Sequence, residues 1–447
     1  LSNEPEKQPQ QKPKAQAEGV ANILTSRSTG EAILIPILAV LTGLIIGAIV
    51  IIITNVNALA AWGSFFRNPL GAITASWDAI VLAYGALFTG ALGSPSAIIT
   101  GFRQWFSTGD STALVRAIYP VTESLTASIP YIITGLALAV GFIAGLFNIG
   151  AEGQFLMGAL FSAYIGYSIT NLPGIIHVPL TMLAGVAGGA MWAFLPGFLK
   201  AKVGAHEVVT TIMMNYISYS LSNWLLNGPM MAPGYRPVTP VIENSAMLPR
   251  FFPEPLRFNW GFFIALAIAV LVFFLIFKTT LGFEIRAVGY NPDASKYAGI
   301  NIVNNTIVVM LISGGLAGLA GAVQLMGVDH WVSSGYSSGY GFNSIAVALL
   351  GNSHPFGVVL AAILFGVLTS GATRMQSIAT IPISMISVIQ GLVIVFVAAP
   401  AIIRTLFRLH IFERKKPPIS PEAASSAATP GNPGSESQPS TPGSSES

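Results

Sequence analysis

The feature that most restricts this chain is a series of long stretches that carry no charge. Ala32–Thr54 is the first; as a helix it spans about 35 Å, enough to cross a hydrocarbon core of about 30 Å. Such runs cannot all be hidden in the core of a water-soluble domain. Composition agrees, with 53% hydrophobic and only 9% charged residues, against roughly 25% charged in soluble domains. A water-soluble fold is excluded, and lipid is the solvent for much of the surface. The chain has no Cys, which rules out disulfides, thiolate metal sites and cysteine nucleophiles. Its net charge of +3 is too small to point to nucleic acid, so the 21 Lys and Arg residues matter through their placement.

Further apolar stretches lie at Ile129–Leu146, Phe155–Thr170, Val178–Phe198, Val208–Asn227, Gly261–Phe277, Val303–Gly327, Phe356–Gly371 and Ile383–Ile403. Phe342–Leu350 is shorter and crosses only if tilted or enclosed by protein. The pattern predicts an all-α fold, a polytopic membrane bundle of about ten transmembrane helices over residues 32–411. Residues 1–31 and 412–447 are polar and read as disordered cytoplasmic tails. Between Ala58 and Pro120, Trp62, Phe65, Trp77 and Trp105 alternate with Arg67, Asp78, Arg103 and Asp110. That pattern suits helices lying at the headgroup level, although Ile80–Ile99 is long enough for an extra span. Gly228–Asn259 reads as a long loop. With the N-terminus inside, 14 of the 21 basic residues fall on the cytoplasmic side, leaving 7 outside, and ten spans bring both termini to the cytoplasm.

Polar residues within spans cost a few kcal/mol unless they are paired or face a cavity, so they mark the places to look for function. Asn148-Ile-Gly-Ala-Glu152-Gly-Gln154 joins two apolar stretches with almost no loop. Two readings stay open: a discontinuous helix pair shaping a translocation path, or a tight cytoplasmic turn in which Asn148 and Glu152 cap helix ends. The loop 278–302 holds a second signal. Asn291 suits an N-cap, Pro292 the first helical position, Asp293 the positive end of the helix and Gly299 its exit. Ala294, Tyr297 and Ala298 give this short helix the apolar and aromatic face of a docking knob.

Five ordered blocks carry a resemblance: GLFNIGAEGQ from Gly145, AHEVVTTIMMNYI from Ala205, GFEIRAVGYNPDASKYAGI from Gly282, SGGLAGLAGA from Ser313 and GYGFNSIAVALLG from Gly339. Together they resemble permease subunits of bacterial ATP-binding-cassette importers, in the branch for branched-chain amino acids, simple sugars and nucleosides. The blocks around Asn148 and Asn215 are most similar to nucleoside permeases, with sugar permeases next. The resemblance implies that Asp293-Ala294-Ser295 and Gly299 stand where such permeases carry their Glu-Ala-Ala and Gly coupling signature, Asp replacing Glu and Ser replacing the second Ala. Arg286, Asn291, Tyr297 and Ala298 complete the expected ATPase-coupling set.

The resemblance further implies a second permease, identical or homologous, a cytoplasmic ATP-binding-cassette ATPase and an extracytoplasmic solute-binding protein. ATP and Mg belong to that ATPase. The chain has no Gly-Lys dipeptide and so lacks the phosphate-cradling loop with its lysine. For nucleosides, amides and aromatic faces are the expected lining. The candidates are Asn148, Glu152, Gln154, Asn215, Tyr216, Gln324 and Asn343, with Gln390 as a further amide. For each, an interhelical hydrogen bond is the plainer role. Trp331 and Tyr340 read as interfacial anchors, and His206-Glu207 as a helix cap or an ATPase contact. His177, His330 and His354 are too scattered for a metal site.

Two stripes, Gly185-Val-Ala-Gly188-Gly189 and Gly314-Gly315-Leu-Ala-Gly318-Leu-Ala-Gly321, predict close helix contacts within the chain or with a second permease. An ion-coupled secondary transporter is the rival from another class. It needs an ionisable residue in mid-membrane, for which Glu152 is the candidate.

Overall fold

The computed structural model describes residues 29–379 together with 387, 388, 391, 392, 395, 396 and 402. The chain forms α1 (Thr29–Thr54), α2 (Val56–Gly63), α3 (Pro69–Leu92), α4 (Pro95–Thr108), α5 (Thr112–Ile143), α6 (Ala151–Ser168) and α7 (Gly174–Phe198). It continues through α8 (Glu207–Leu226), α9 (Gly261–Lys278), α10 (Thr280–Tyr290), α11 (Pro292–Tyr297), α12 (Ile302–Gln324), α13 (Tyr340–Leu350) and α14 (Pro355–Ala379). π-helical turns extend α7 over Leu199–Val203 and α12 over Leu325–Asp329. Among the described residues there is no strand, only three isolated bridges. The fold is therefore all-α. The span expected at Ile383–Ile403, Gln390 and most of both tails lie outside the described residues.

Among the described residues, seven stretches are long and apolar enough to cross a membrane: Ile37–Thr54, Pro69–Thr108, Thr112–Ile143, Gly174–Val203, Gly261–Lys278, Ile302–Asp329 and Pro355–Ala379. α6 and α8 form where spans were expected but are less apolar, because each carries a polar inner face. Ser162 and Gln154 on α6 are buried, as are Thr211, Asn215, Ser218 and Ser222 on α8.

The interfacial reading of 58–120 is corrected. α3 is a helix of 24 residues, about 36 Å long and able to cross. Asn68 caps it by accepting from Gly71 N at 3.0 Å, with Pro69 in the first turn. Its buried face is built from Ala72, Ser76, Ala79, Ala83, Ala86 and Gly90. The alternative span at Ile80–Ile99 is broken by Gly93. α4 keeps the interfacial character, since its 14 residues reach only about 21 Å.

The core lies around α5 and α12. The most apolar stretch of α5 is 83% buried and that of α12 72%, against 28% for α1, α7 and α9, whose remaining surface suits lipid. The glycine stripes close this core within the chain. A Cβ on Gly189 would stand 2.2 Å from Gly314 O, and one on Gly318 would stand 2.2 Å from Gly185 O. α7 and α12 thus touch backbone to backbone.

Packing also sets direction. α14 runs antiparallel to α5, with Gly366 against Ser124 and Ser128, and Val358 against Gly135. α3 runs parallel to α14, with Leu87 against Gly371 and Gly90 against Arg374. α1 turns through α2 into α3, fixed by Tyr84 Oη donating to Leu44 O at 2.5 Å and Trp62 Nε1 to Ser76 Oγ at 2.9 Å. Hence α1 and α5 run in the same direction, and Thr29 lies at the end of the bundle where α5 begins, opposite α10 and α11. The charge-based reading instead puts the N-terminal tail at the same end as the α10–α11 loop. α3 adds a crossing, and one extra crossing exchanges the end at which the chain starts.

Candidate functional site

The interior break between α5 and α6 is where the structure gathers the polar residues. Asn148 Nδ2 donates to Gln154 Oε1 at 2.8 Å and to Ser313 Oγ at 2.9 Å. Its Oδ1 accepts from Gly150 N at 3.1 Å and Gln154 Nε2 at 3.0 Å. Ser313 Oγ in turn donates to Ala137 O at 2.7 Å, tying α12 to α5. Ser313 lies eleven residues into α12, about 16 Å along its axis. The polar end of the break, Asn148 to Gly150, is therefore inside the bundle and enclosed by protein, as an irregular segment at that depth must be, while Gly145 and Phe147 before it are exposed, Gly145 lying against Gly289 of α10.

Asn215 of α8 closes the same break from the other side. Its Oδ1 accepts from Gly153 N at 2.9 Å and its Nδ2 donates to Ile149 O at 3.0 Å. Glu152, in the first turn of α6, reaches away from its own helix to the start of α13. Oε1 accepts from Gly339 N at 2.9 Å, and Oε2 from Gly341 N at 2.6 Å and Phe342 N at 3.4 Å. The two backbones touch, since a Cβ on Gly341 would lie 2.3 Å from Glu152 N. α13 has no capping side chain of its own, Gly339 being its N-cap at φ 80°. Glu152 thus supplies from a distant helix the acceptor that a local Ser or Asp ordinarily supplies. Tyr219 and Ser337 stand beside the carboxylate.

Of the seven interior candidates, Asn148, Glu152, Gln154 and Asn215 meet in one buried network, each 1–2% exposed. Their polar atoms are engaged with one another and with the backbone, so they knit helices together. The other three lie apart. Tyr216 points outward, 62% exposed. Gln324 donates to Asp329 Oδ2 at 2.9 Å within the α12 extension, and Asn343 neighbours the Tyr131 hydroxyl.

Tyr340 is corrected from interfacial anchor to interior residue. Its ring lies 5.1 Å from Tyr131 and 5.5 Å from Phe155, within an aromatic group that includes Tyr336 and Phe365. Trp331 is 46% exposed. Ser313 and Ser337 were missed. Only Ser313 had a signal, as a hydroxyl opening a glycine stripe.

Where the break begins, Gly289 of α10 packs against Ile143 O, and α10 and α11 form a protruding corner there. Asn291 Oδ1 accepts from Ala294 N at 3.0 Å, and Pro292 occupies the first turn, as the sequence predicts. Ser295 is the buried member, its Oγ donating to Asn291 O at 2.9 Å. Asp293, Ala294, Tyr297, Ala298 and Gly299 are exposed, and Gly299 leaves the helix at φ 87°, a left-handed conformation that suits glycine. Phe283 and Tyr290 are also exposed, seven residues apart and seven before Tyr297. Arg286 is half-buried, with its guanidinium 5.5 Å from the Phe277 ring. Just before α8, Lys200 Nζ pairs with Glu207 at 2.7 Å, and His206 is the N-cap of α8.

At the far end, the loop before α9 packs onto the segment after α12. Thr239 N donates to Val332 O at 2.9 Å, Ile242 N to His330 O at 3.0 Å and Leu248 N to Met326 O at 2.9 Å. Arg257 binds Glu123 through two nitrogens, which raises its pKa further. Burial, with Arg250 alongside, holds His330 below the usual imidazole range. Among the described residues no group of three His, Cys, Asp or Glu could hold a metal ion. His177 is spent on Ser245 Oγ at 2.8 Å.

Residues 121–398 match the family described as branched-chain amino acid transport system / permease component. The chain belongs to that family. It is 36% identical over 377 residues to a guanosine ABC transporter permease protein of Bacillus subtilis (strain 168), covering 83% of this chain and 94% of that protein. It is 34% identical over 383 residues to a nucleoside ABC transporter permease protein of Lactococcus lactis subsp. cremoris (strain MG1363), covering 84% and 93%. A glucose ABC transporter permease protein of Haloferax volcanii is 34% identical over 288 residues, covering 62% and 76%. No solved structure matches. This family member is thus a multi-pass membrane protein of permease type and not an enzyme.

Proposed function

We propose that the chain moves nucleosides inward as the permease of an ATP-binding-cassette importer. The energy comes from a separate ATPase that binds ATP and Mg, docked on the corner made by α10 and α11. The observation that carries this reading is α11 itself: a capped helix whose Asp293, Ala294, Tyr297 and Ala298 are exposed while Ser295 and Asn291 fix its shape. Arg286 and Gly299 set the entry to and exit from that knob. A second permease and an extracytoplasmic binding protein complete the importer. The end bearing α11 is cytoplasmic, in keeping with Lys200, Lys202, Lys278, Arg286 and Lys296 gathered there.

The guanosine and nucleoside relatives, each aligned over more than four fifths of this chain, favour nucleosides over the sugar suggested by the glucose relative. Proton or sodium coupling through Glu152 finds no support, because its carboxylate is engaged by three backbone N–H groups. Asp293→Lys and Ala298→Glu test the docking role. Both are expected to leave the helices folded and membrane-inserted while ATP hydrolysis no longer drives uptake. Normal uptake by both variants would refute it.

A further inference from the structure

We propose that α13 is the rod that carries ATPase movement into the centre of the membrane, with Glu152 the positioning residue at its inner anchor; this rests on the reading of α11 as the ATPase dock. Both ends of α13 are held, and by different parts of the molecule. Its last turn runs into Gly351–His354, where His354 lies 5.5 Å from the Phe277 ring and 6.0 Å from Phe273. The Phe277 ring also has the guanidinium of Arg286 5.5 Å from its centre, on α10, the helix that leads directly into α11. Phe356, in the first turn of α14, closes the stack at 5.3 Å from Phe273. A displacement of α10 and α11 therefore reaches the four-residue turn that joins α13 to α14 through packed side chains, and Gly351 N bonded to Val347 O and Ser353 N bonded to Ala348 O tie that turn to the last turn of α13.

The N-terminal end of α13 is anchored where α6 starts. Two helix N-termini abut there, each bearing roughly half a positive elementary charge, and the Glu152 carboxylate is the negative group set between them. Its three accepted N–H bonds are charge-assisted, which makes them stronger than neutral ones. The next residue, Gly153, is bonded to Asn215, so α13, α6 and α8 are joined at one point. α13 has 11 residues, about 16 Å. That is long enough to link the cytoplasmic corner to the interior break. A short helix fixed at both ends transmits displacement as a rigid element, the type of contiguous connection that coupling between distant sites can use.

The test uses the assembled importer in proteoliposomes and two readouts on the same variants. Glu152→Gln removes the charge with little change of shape. Hydrogen exchange at the amides of Gly339, Gly341 and Phe342 should accelerate, ATP hydrolysis should persist, and nucleoside uptake should fall about tenfold or more. Adding Gly339→Asp returns a carboxylate to the same end of α13. Position 339 already has a left-handed backbone that Asp tolerates, and its added Cβ meets nothing nearer than 3.8 Å. Exchange protection and uptake should recover together.

Unchanged uptake in Glu152→Gln overturns the proposal, and so does a double variant that regains protection without uptake. Should Glu152→Gln fail to fold, Glu152→Asp decides: the charge is kept on a shorter arm, and protection and uptake should fall in step or the proposal is wrong. A wild-type importer that protects these amides yet moves no nucleoside would contradict the substrate reading and leave the clasp standing.

Discussion

Asn215 shows what a polar side chain inside this bundle is for. The sequence makes it a candidate for the solute path with an interhelical hydrogen bond as the plainer role; in the structure it pairs with Gly153 N and Ile149 O and is 1% exposed. Asn215→Leu leaves one buried donor and one buried acceptor without partners, at about 1–3 kcal/mol each. The purified protein is therefore expected to melt several degrees lower, with the solute concentration for half-maximal uptake unchanged in whatever folds. A shifted half-maximal concentration at unchanged melting temperature would return Asn215 to the solute path. At this scale the sequence revealed which residues are polar in apolar surroundings, but not their partners. Glu152 and its acceptor bonds are separated by 187 to 190 residues, and the partners are backbone N–H groups, which every non-proline residue carries. By contrast the α11 cap was legible, because Asn291, Pro292 and Ala294 are neighbours and their geometry is local.

Elements were legible where their signal was apolarity and obscure where it was small size. α1, α7, α8, α9 and α12 stand close to their expected bounds, while α14 starts as expected and runs eight residues further, to Ala379. α3 was misread because Trp77 and Asp78, both exposed, suggested an interface. Its packing face is mostly alanine, which scores weakly as hydrophobic yet permits close approach to α14. The glycine stripes were recognised as contacts, and the structure adds that their partner is within the chain. Gly318→Val forces apart α7 and α12, whose backbones leave 2.2 Å for a new Cβ. We expect a loss of about 1–3 kcal/mol or more, and failure to recover folded protein from membranes at 37 °C, a usual consequence of overpacking. Wild-type recovery and melting temperature would show that this interface yields more than the structure implies.

For the whole molecule, orientation decides what each end can do. The chain has no Cys, so single cysteines report sidedness without background. Tyr235→Cys and Tyr297→Cys replace side chains that are 90% and 94% exposed at opposite ends of the bundle. A membrane-impermeant maleimide should label position 235 in intact cells and position 297 only after permeabilisation. Thr29→Cys should follow position 235, since α1 and α5 run in the same direction.

The central claim is that a nucleotide-burning partner drives solute through this bundle. Its most direct measurement is uptake of labelled nucleoside by proteoliposomes holding the permease, the ATPase and the binding protein, with ion gradients collapsed. The account predicts uptake that requires ATP inside the ATPase compartment and stops when the ATPase is omitted. Uptake by the permease alone, driven by a proton or sodium gradient without ATP, would contradict it.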